Sequence, residues 1–161
     1  MRRLSFAAVV LALAFVSACG FHLRGRTPLP AVMAHPYIDA TDHYSALYAA
    51  LNAELRAAGA TPAATAAEAS GVIRLHVDKT GREVLSVTAD NKPGEYEVYY
   101  AAEFSVATGT TELLARQSVR LTRDYGYDES AVLAKEHEEQ TLRVALAEEI
   151  AALILRRLAA L

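Results

Sequence analysis

The fold follows from one segment, Tyr96-Glu97-Val98-Tyr99-Tyr100-Ala101-Ala102-Glu103-Phe104-Ser105-Val106. Apolar or aromatic side chains occupy every even-numbered position, and Glu97, Tyr99 and Glu103 stand between them. Because successive side chains of a strand point to opposite faces of its sheet, this alternation predicts a strand with one buried and one solvated face. The buried face requires a second layer of structure to cover it.

A neighbouring strand is predicted over residues 72–80. Its alternation places two sets of side chains on opposite faces, Ile73, Leu75 and Val77 on one and Arg74, His76 and Asp78 on the other. Residues 84–88 continue this strand past Gly81, where we expect a β-bulge. A polar turn at residues 91–94 then leads into the first segment.

Two further strands complete the predicted sheet. Residues 32–40 form a short strand, and Pro36 favours an edge position because proline donates no backbone hydrogen bond. Residues 112–123 form the last strand, which residues 124–127 end. Its apolar and basic side chains lie on opposite faces: Val119 and Leu121 inward, Arg116 and Arg120 outward.

The outward arginines of the last strand have acidic neighbours. Arg116 and Arg120 are expected beside Glu97 and Glu103 of the adjacent strand, which favours cross-strand ion pairs. The alternative is that this polar face lies against the inside of a partner protein.

A helix is predicted between the first two strands. Thr41 and Asp42 offer N-cap oxygens for a helix that begins near His43 or Tyr44. Gly59 is the expected end, because glycine adopts the positive φ of a helix C-terminal cap without strain. The buried face has helical spacing and contains Tyr44, Leu47, Tyr48, Leu51 and Leu55.

A second helix is predicted near the C-terminus. Residues 128–160 contain no glycine or proline, so one helix of about 50 Å is possible, with Asp128 as its cap. Its buried stripe is Leu142, Leu146, Ile150, Leu153 and Ile154. Its solvated side carries Glu136, Glu138, Glu139, Glu148 and Glu149.

The order strand, helix, three strands, helix predicts an α+β fold. Two amphipathic helices and one half-buried sheet pack most simply as a two-layer sandwich, with both helices on one face of the sheet. Residues 31–161 are enough for a single domain of this kind.

The N-terminal residues have the layout of a secretory leader. Arg2 and Arg3 precede an apolar run over residues 4–15, and small residues precede Cys19. We expect residues 1–18 to be a lipoprotein signal peptide and residues 19–30 a tether. The alternative is an uncleaved anchor helix, but the apolar run is shorter than the roughly 20 residues that a membrane span needs.

Cys19 is the sole cysteine of the chain, so it has no disulfide partner within it. Acylation explains a lone thiol in an exported protein, and we expect lipid to be attached to Cys19. Gly20 follows it; an aspartate there would favour retention at the inner membrane, so its absence favours the outer membrane.

Three motifs give the chain a family resemblance. They are Cys19-Gly20-Phe21-His22-Leu23-Arg24, Gly94-Glu95-Tyr96-Glu97 and Ala131-Val132-Leu133-Ala134-Lys135-Glu136. In this order and spacing they resemble the lipopolysaccharide-assembly lipoproteins of the LptE family. The resemblance implies a four-stranded mixed sheet backed by two helices. It also implies a non-enzymatic plug that helps assemble the outer-membrane lipopolysaccharide-export barrel, LptD, and assists lipopolysaccharide insertion.

The same resemblance implies basic contacts to lipopolysaccharide. Lys135 occupies a matching basic position, although a local ion pair with Glu138 or Glu139 is the alternative. A second basic contact of the family falls nearest to Ala89 here, and Lys92 is expected to substitute for it by reach.

Other functions find little support in the sequence. A formal net charge of −3 is unlike the basic footprint of a nucleic-acid binder. Neither the histidines nor the glycines form the spacing of a metal site, a phosphate loop or a nucleophile elbow. We therefore expect no cofactor, metal or catalytic site. The rival hypothesis is a free-standing periplasmic lipoprotein that binds a small or lipid ligand.

Overall fold

The computed structural model describes residues 28–161, so the predicted leader, Cys19 and most of the predicted tether lie outside the described residues. Within this range the elements follow in the order β1 (Pro36–Asp39), α1 (Ala46–Ala57), β2 (Gly71–Val87), β3 (Pro93–Thr108), β4 (Thr111–Gly126) and α2 (Val132–Leu158). The strands form one sheet in the order β1-β2-β3-β4. β1 is parallel to β2 and the other pairs are antiparallel, so the sheet is mixed.

The core lies between one face of the sheet and both helices, which confirms the two-layer α+β prediction. The predicted alternation of β3 is confirmed, since Val98, Tyr100, Ala102, Phe104 and Val106 are all buried. α1 contributes Leu47, Leu51 and Leu55, which are fully buried. α2 covers the rest with a stripe of Leu146, Ala147, Ile150, Ala151, Ile154, Leu155 and Leu158.

β2 is one continuous strand, as predicted, but its first irregularity lies at His76 and not at Gly81. Leu75 pairs with Phe104 on the core face, whereas Val77 pairs with Glu103 on the opposite face. One extra residue in a strand reverses the facing of the residues after it, up to the next irregularity. The predicted facing of Val77 and Asp78 is therefore wrong, and Asp78 points toward the helices.

Gly81 has a different role from the predicted bulge. It pairs with Tyr99 across the sheet, and a Cβ at this position would lie 2.6 Å from the phenolic oxygen of Tyr99. The glycine therefore makes room for the tyrosine ring on the open face of the sheet.

α1 begins later than predicted. Its N-cap is Ser45, whose Oγ accepts a hydrogen bond from the Tyr48 N–H at 3.0 Å. Asp42 instead accepts from the Tyr44 N–H at 2.8 Å in the preceding turn. Tyr44 therefore precedes the helix, and it is 98% exposed rather than part of the buried face.

The predicted end of α1 at Gly59 is confirmed. Gly59 has φ +94°, and its N–H donates to the Arg56 carbonyl at 3.0 Å. The Ala60 N–H reaches back to the Leu55 carbonyl, also at 3.0 Å. This pair of bonds is a Schellman cap, which satisfies carbonyls that the helix leaves unpaired.

α2 is shorter than the predicted maximum, because β4 continues to Gly126 and a short 3-10 turn over Glu129–Ala131 precedes the helix. The predicted break at residues 124–127 is wrong, since Tyr125 pairs with Tyr96 and is 5% exposed. Asp128 caps the 3-10 turn through the Ser130 N–H rather than α2 itself. Leu153 lies beside the buried stripe and not within it.

Candidate functional site

The two predicted basic contacts lie at the same end of the molecule, where the β2–β3 turn meets the start of α2. Lys92 Nζ lies 2.6 Å from Oε2 of Glu129, three residues before α2. Lys135, one turn into α2, lies 2.8 Å from Oε2 of Glu138. The alternative of a local ion pair on α2 is therefore realised with Glu138. Within residues 28–161, the two lysines therefore pair with different carboxylates.

Acidic groups surround both lysines. The hydroxyl and N–H of Ser130 hydrogen-bond Asp128, and these bonds, with the nearby Lys135 charge, lower the pKa of the Asp128 carboxyl. The Asp128 carboxyl is therefore charged at neutral pH. An anionic ligand at this end has to displace the carboxylates from the lysines.

Apolar side chains stand next to this charged end. Val84, Leu85 and Val87, the last apolar residues of β2, are 52%, 51% and 60% exposed. Leu133, two residues before Lys135, is 82% exposed. Lysines beside exposed aliphatic side chains suit an amphiphile that carries both anionic groups and acyl chains.

A polar joint holds the first half of α2 to the sheet. Glu139 Oε2 lies 2.7 Å from Nη1 of Arg82, and it accepts the hydroxyl hydrogen of Tyr125, also at 2.7 Å. Arg143 pairs with Glu139 Oε1 and donates to the Thr80 hydroxyl at 2.9 Å. We call these five residues, Thr80, Arg82, Tyr125, Glu139 and Arg143, the polar joint.

The polar joint corrects the predicted solvated face of α2. The Glu139 side chain is only 12% exposed, because it faces the sheet. Burial by itself would raise its pKa, but hydrogen bonds from Arg143, Tyr125 and Arg82 outweigh burial and lower the pKa of Glu139. The only local signal for this joint is the spacing of Glu139 and Arg143, four residues apart on a helix.

The open face of the sheet carries a set of ion pairs, as predicted. Arg116 Nε lies 3.4 Å from a carboxylate oxygen of Glu103, and Arg120 Nη2 lies 3.6 Å from one of Glu97. Arg120 also pairs with Glu83 at 3.1 Å and lies over the Tyr99 ring at 4.1 Å. This face is therefore polar and internally charge-compensated.

Two features are absent from the part of the chain that the structure describes. Among residues 28–161, no helix combines the length and apolarity needed to cross a membrane. Over the same range, no three histidine, cysteine or acidic side chains converge where they would hold a metal ion.

The mixed sheet backed by two helices defines a class of small bacterial lipoproteins with known structures. A rare lipoprotein B from Shewanella oneidensis is 28% identical, with a TM-score of 0.68; the alignment covers 78% of this chain and 94% of that one. Lipoprotein B from Nitrosomonas europaea is 25% identical, with a TM-score of 0.73, covering 88% of this chain and 91% of that one.

The sequence comparisons narrow this class to one family. The LptE family, described as lipopolysaccharide-assembly, matches residues 34–158. An LPS-assembly lipoprotein LptE from Pectobacterium atrosepticum is 29% identical over 98% of this chain and 86% of its own length. The chain belongs to the LptE family of lipopolysaccharide-assembly lipoproteins.

Proposed function

We propose that this chain is anchored to the periplasmic side of the outer membrane through lipid on Cys19. There it plugs and helps assemble the lipopolysaccharide-export barrel LptD, and assists lipopolysaccharide insertion into the outer leaflet. Membership of the LptE family, over residues 34–158, is the observation that carries the proposal.

The domain division is part of this proposal. Residues 1–18 act as the lipoprotein signal peptide, residues 19–30 as the lipid-anchored tether, and residues 31–161 as the single α+β domain. A tether of this length lets the domain enter a barrel while the acyl chains stay in the surrounding membrane.

The polar surface of the domain supports the proposal that the domain lies inside a water-filled barrel. The helices cover one face of the sheet, and the other face carries paired charges such as Arg120 with Glu83 and Glu97. A plug needs such a hydrated, charge-compensated surface, because its partner wall is polar and wet.

The end of the molecule that carries Lys92 and Lys135, which we call the basic end, supports a direct role in handling lipopolysaccharide. Lys92 and Lys135 supply donors for phosphate and carboxylate groups, and Leu133 with Val87 supplies adjacent apolar surface. We propose that this end contacts lipopolysaccharide during its passage through the barrel. The role is binding and positioning, without a catalysed reaction.

Affinity purification tests the proposal. The tagged full-length protein is purified from detergent-solubilised outer membrane, and its partners are identified by mass spectrometry. We expect a large β-barrel protein in equal amount. A lipoprotein that elutes alone as a monomer would contradict the plug and favour the free-standing ligand binder.

A matched control distinguishes the contribution of the lipid anchor from that of the folded domain. Replacing the lipoprotein leader with an ordinary cleavable leader exports the same domain without acylation. We expect this form to recover less barrel from the membrane than the lipidated form. Equal recovery would show that the lipid on Cys19 is dispensable for the association.

A further inference from the structure

A polar cavity beside β1 lies away from the basic end of the molecule. Its volume is about 340 Å³, and α1, β1 and the loop after α1 enclose it. The loop is fixed against β1, since the Thr61 and Ala63 N–H groups donate to the Ala34 and Pro36 carbonyls, both at 2.9 Å. The cavity therefore has firm walls on three sides, and its volume is near the lower end of ligand sites, about 300 Å³.

The charge of this cavity is positive although the chain is acidic. Arg56 lines it, and none of its lining residues is an aspartate or glutamate. Among residues 28–161, Arg56 takes part in no ion pair. Its planar guanidinium is thus available to a phosphate or carboxylate, which it binds with two parallel hydrogen bonds.

An aromatic wall and an amide stand beside Arg56. The rings of His43 and Tyr48 stack with centroids 4.8 Å apart and an interplanar angle of 16°, and both line the cavity. Asn52 also lines it, and its buried Oδ1 receives no hydrogen bond from any residue of 28–161. An amide carries one acceptor and two donors, so Asn52 has both kinds of group to offer a ligand.

We propose that this cavity binds a single acidic sugar unit, a hexose that carries a phosphate or carboxylate. Arg56 holds the anionic group and the Asn52 amide bonds the ring hydroxyls. One outer face of the stacked His43–Tyr48 pair contacts the C–H side of the sugar. The cavity accommodates one such unit. This binding is separate from barrel association and from Lys92 and Lys135.

Titration of the full-length protein in detergent micelles tests the site. The probe is glucose 1-phosphate, followed by amide NMR shifts of Tyr48, Asn52 and Ala63, with glucose and inorganic phosphate titrated separately. We expect saturable shifts with glucose 1-phosphate and weaker binding of either half alone. The absence of saturable shifts, or equal affinity for inorganic phosphate, would overturn the proposal.

Variants assign the binding to the named groups. We expect Arg56→Gln to weaken glucose 1-phosphate binding about tenfold, and Tyr48→Leu about fivefold. The matched control is Lys79→Gln, which removes one exposed positive charge from β2 outside the cavity and should leave affinity unchanged. If Lys79→Gln weakened glucose 1-phosphate binding equally, the effect would come from the overall charge of the protein, and the proposed site would be wrong.

A competition arm identifies the source of the sugar. Lipopolysaccharide is added to the complex with glucose 1-phosphate while the same amide shifts are followed. Displacement that Arg56→Gln prevents would support the cavity as a site for glycolipid head groups. Persistence of the sugar phosphate shifts would support a free sugar phosphate as the ligand. Because isolated protein is used, failure here leaves the barrel proposal unaffected.

Discussion

Asp78 joins three elements through the two oxygens of one carboxylate. Its Oδ1 accepts from the Tyr100 hydroxyl on β3 at 2.7 Å, and its Oδ2 accepts from Ser45, the N-cap of α1. The Tyr100 oxygen in turn accepts from the Leu47 N–H at 3.2 Å. Burial and the Asp78 carboxylate raise the pKa of the Tyr100 phenol. These bonds fix the start of α1 over the sheet.

Removing the Tyr100 hydroxyl is expected to destabilise the fold. Tyr100→Phe leaves the Leu47 N–H and Asp78 Oδ1 without this partner, and should lower the free energy of unfolding by about 1–2 kcal/mol. Urea denaturation measures the change. The matched control is Tyr99→Phe, on the open face of the same strand, with an expected change below about 0.5 kcal/mol. Equal losses in the two variants would show that the Asp78 link contributes nothing specific.

At the scale of elements, the end of α1 depends on one backbone conformation. Gly59 has φ +94°, and a Cβ there would meet no atom within 4 Å. A substitution at this position therefore adds backbone strain without a steric clash. The loss of stability on placing a Cβ at this position therefore measures the conformational preference for glycine by itself.

Gly59→Ala is expected to lower the free energy of unfolding by about 1 kcal/mol, because alanine resists the left-handed conformation. Gly126→Ala is the control: a Cβ there also meets nothing within 4 Å, and Gly126 has no positive φ. Urea midpoints of both variants give the comparison. A Gly59→Ala variant as stable as Gly126→Ala would refute the strain argument.

The two halves of α2 are held to the sheet by different forces. The fully or nearly buried apolar residues of α2 all lie from Leu146 onward, so the hydrophobic effect anchors that half. The first half is held by the polar joint around Glu139. We therefore expect the attachment of the first half to depend more strongly on pH than that of the second half.

The pH dependence of the polar joint has a definite sign. The folded-state pKa of Glu139 lies below its ordinary value of 4.5. Its stabilisation is therefore present above about pH 4.5 and is lost as the pH falls through the folded-state value. We expect Glu139→Gln to lower the free energy of unfolding at pH 7 by about 1–2 kcal/mol and to flatten its decline below pH 4.5.

Denaturation at a series of pH values checks this expectation. Glu138→Gln is the matched control, because the Glu138 side chain is 46% exposed and, among residues 28–161, forms an ion pair with Lys135 alone. It should change stability by less than about 0.5 kcal/mol. If the acid decline of Glu139→Gln matched that of the unaltered protein, the joint would not be its source.

At the scale of the whole molecule, we assign different contacts to the basic end and to the open face of the sheet. Ion pairs of Arg116 and Arg120 compensate the open face, whereas exposed Val87 and Leu133 accompany the lysines at the basic end. A charge-compensated face suits contact with a hydrated barrel wall. The basic end, which combines lysines with exposed apolar side chains, suits contact with an amphiphile.

Neutralising the lysines is expected to weaken lipopolysaccharide binding. Lys135→Gln and Lys92→Gln should each raise the dissociation constant of the purified full-length protein about threefold, since each removes one partly exposed charge. Lys79→Gln, on the open face, serves as the control. Binding to immobilised lipopolysaccharide at two salt concentrations measures the effect. Unchanged affinity in the double lysine variant would exclude this end as the contact.

Local patterns in the sequence were enough for much of this protein. The alternation over residues 96–106, the apolar face of α1 and the glycine at position 59 each depend on neighbours a few residues apart. The cross-strand pairs of Arg116 and Arg120 followed from the predicted strand faces. The motifs around Cys19 and Lys135 indicated the LptE family, which the comparisons confirm.

Tertiary structure alone decided which way several polar side chains point. The extra residue at His76 turns Asp78 inward, and this places it against Ser45, 33 residues earlier in the chain. The helical pattern predicts a solvated Glu139, but Arg82 of β2, 57 residues away, meets it between the sheet and the helix. A bulge and long-range charge pairing leave no periodic trace in the sequence, because both depend on which segments the fold brings into contact.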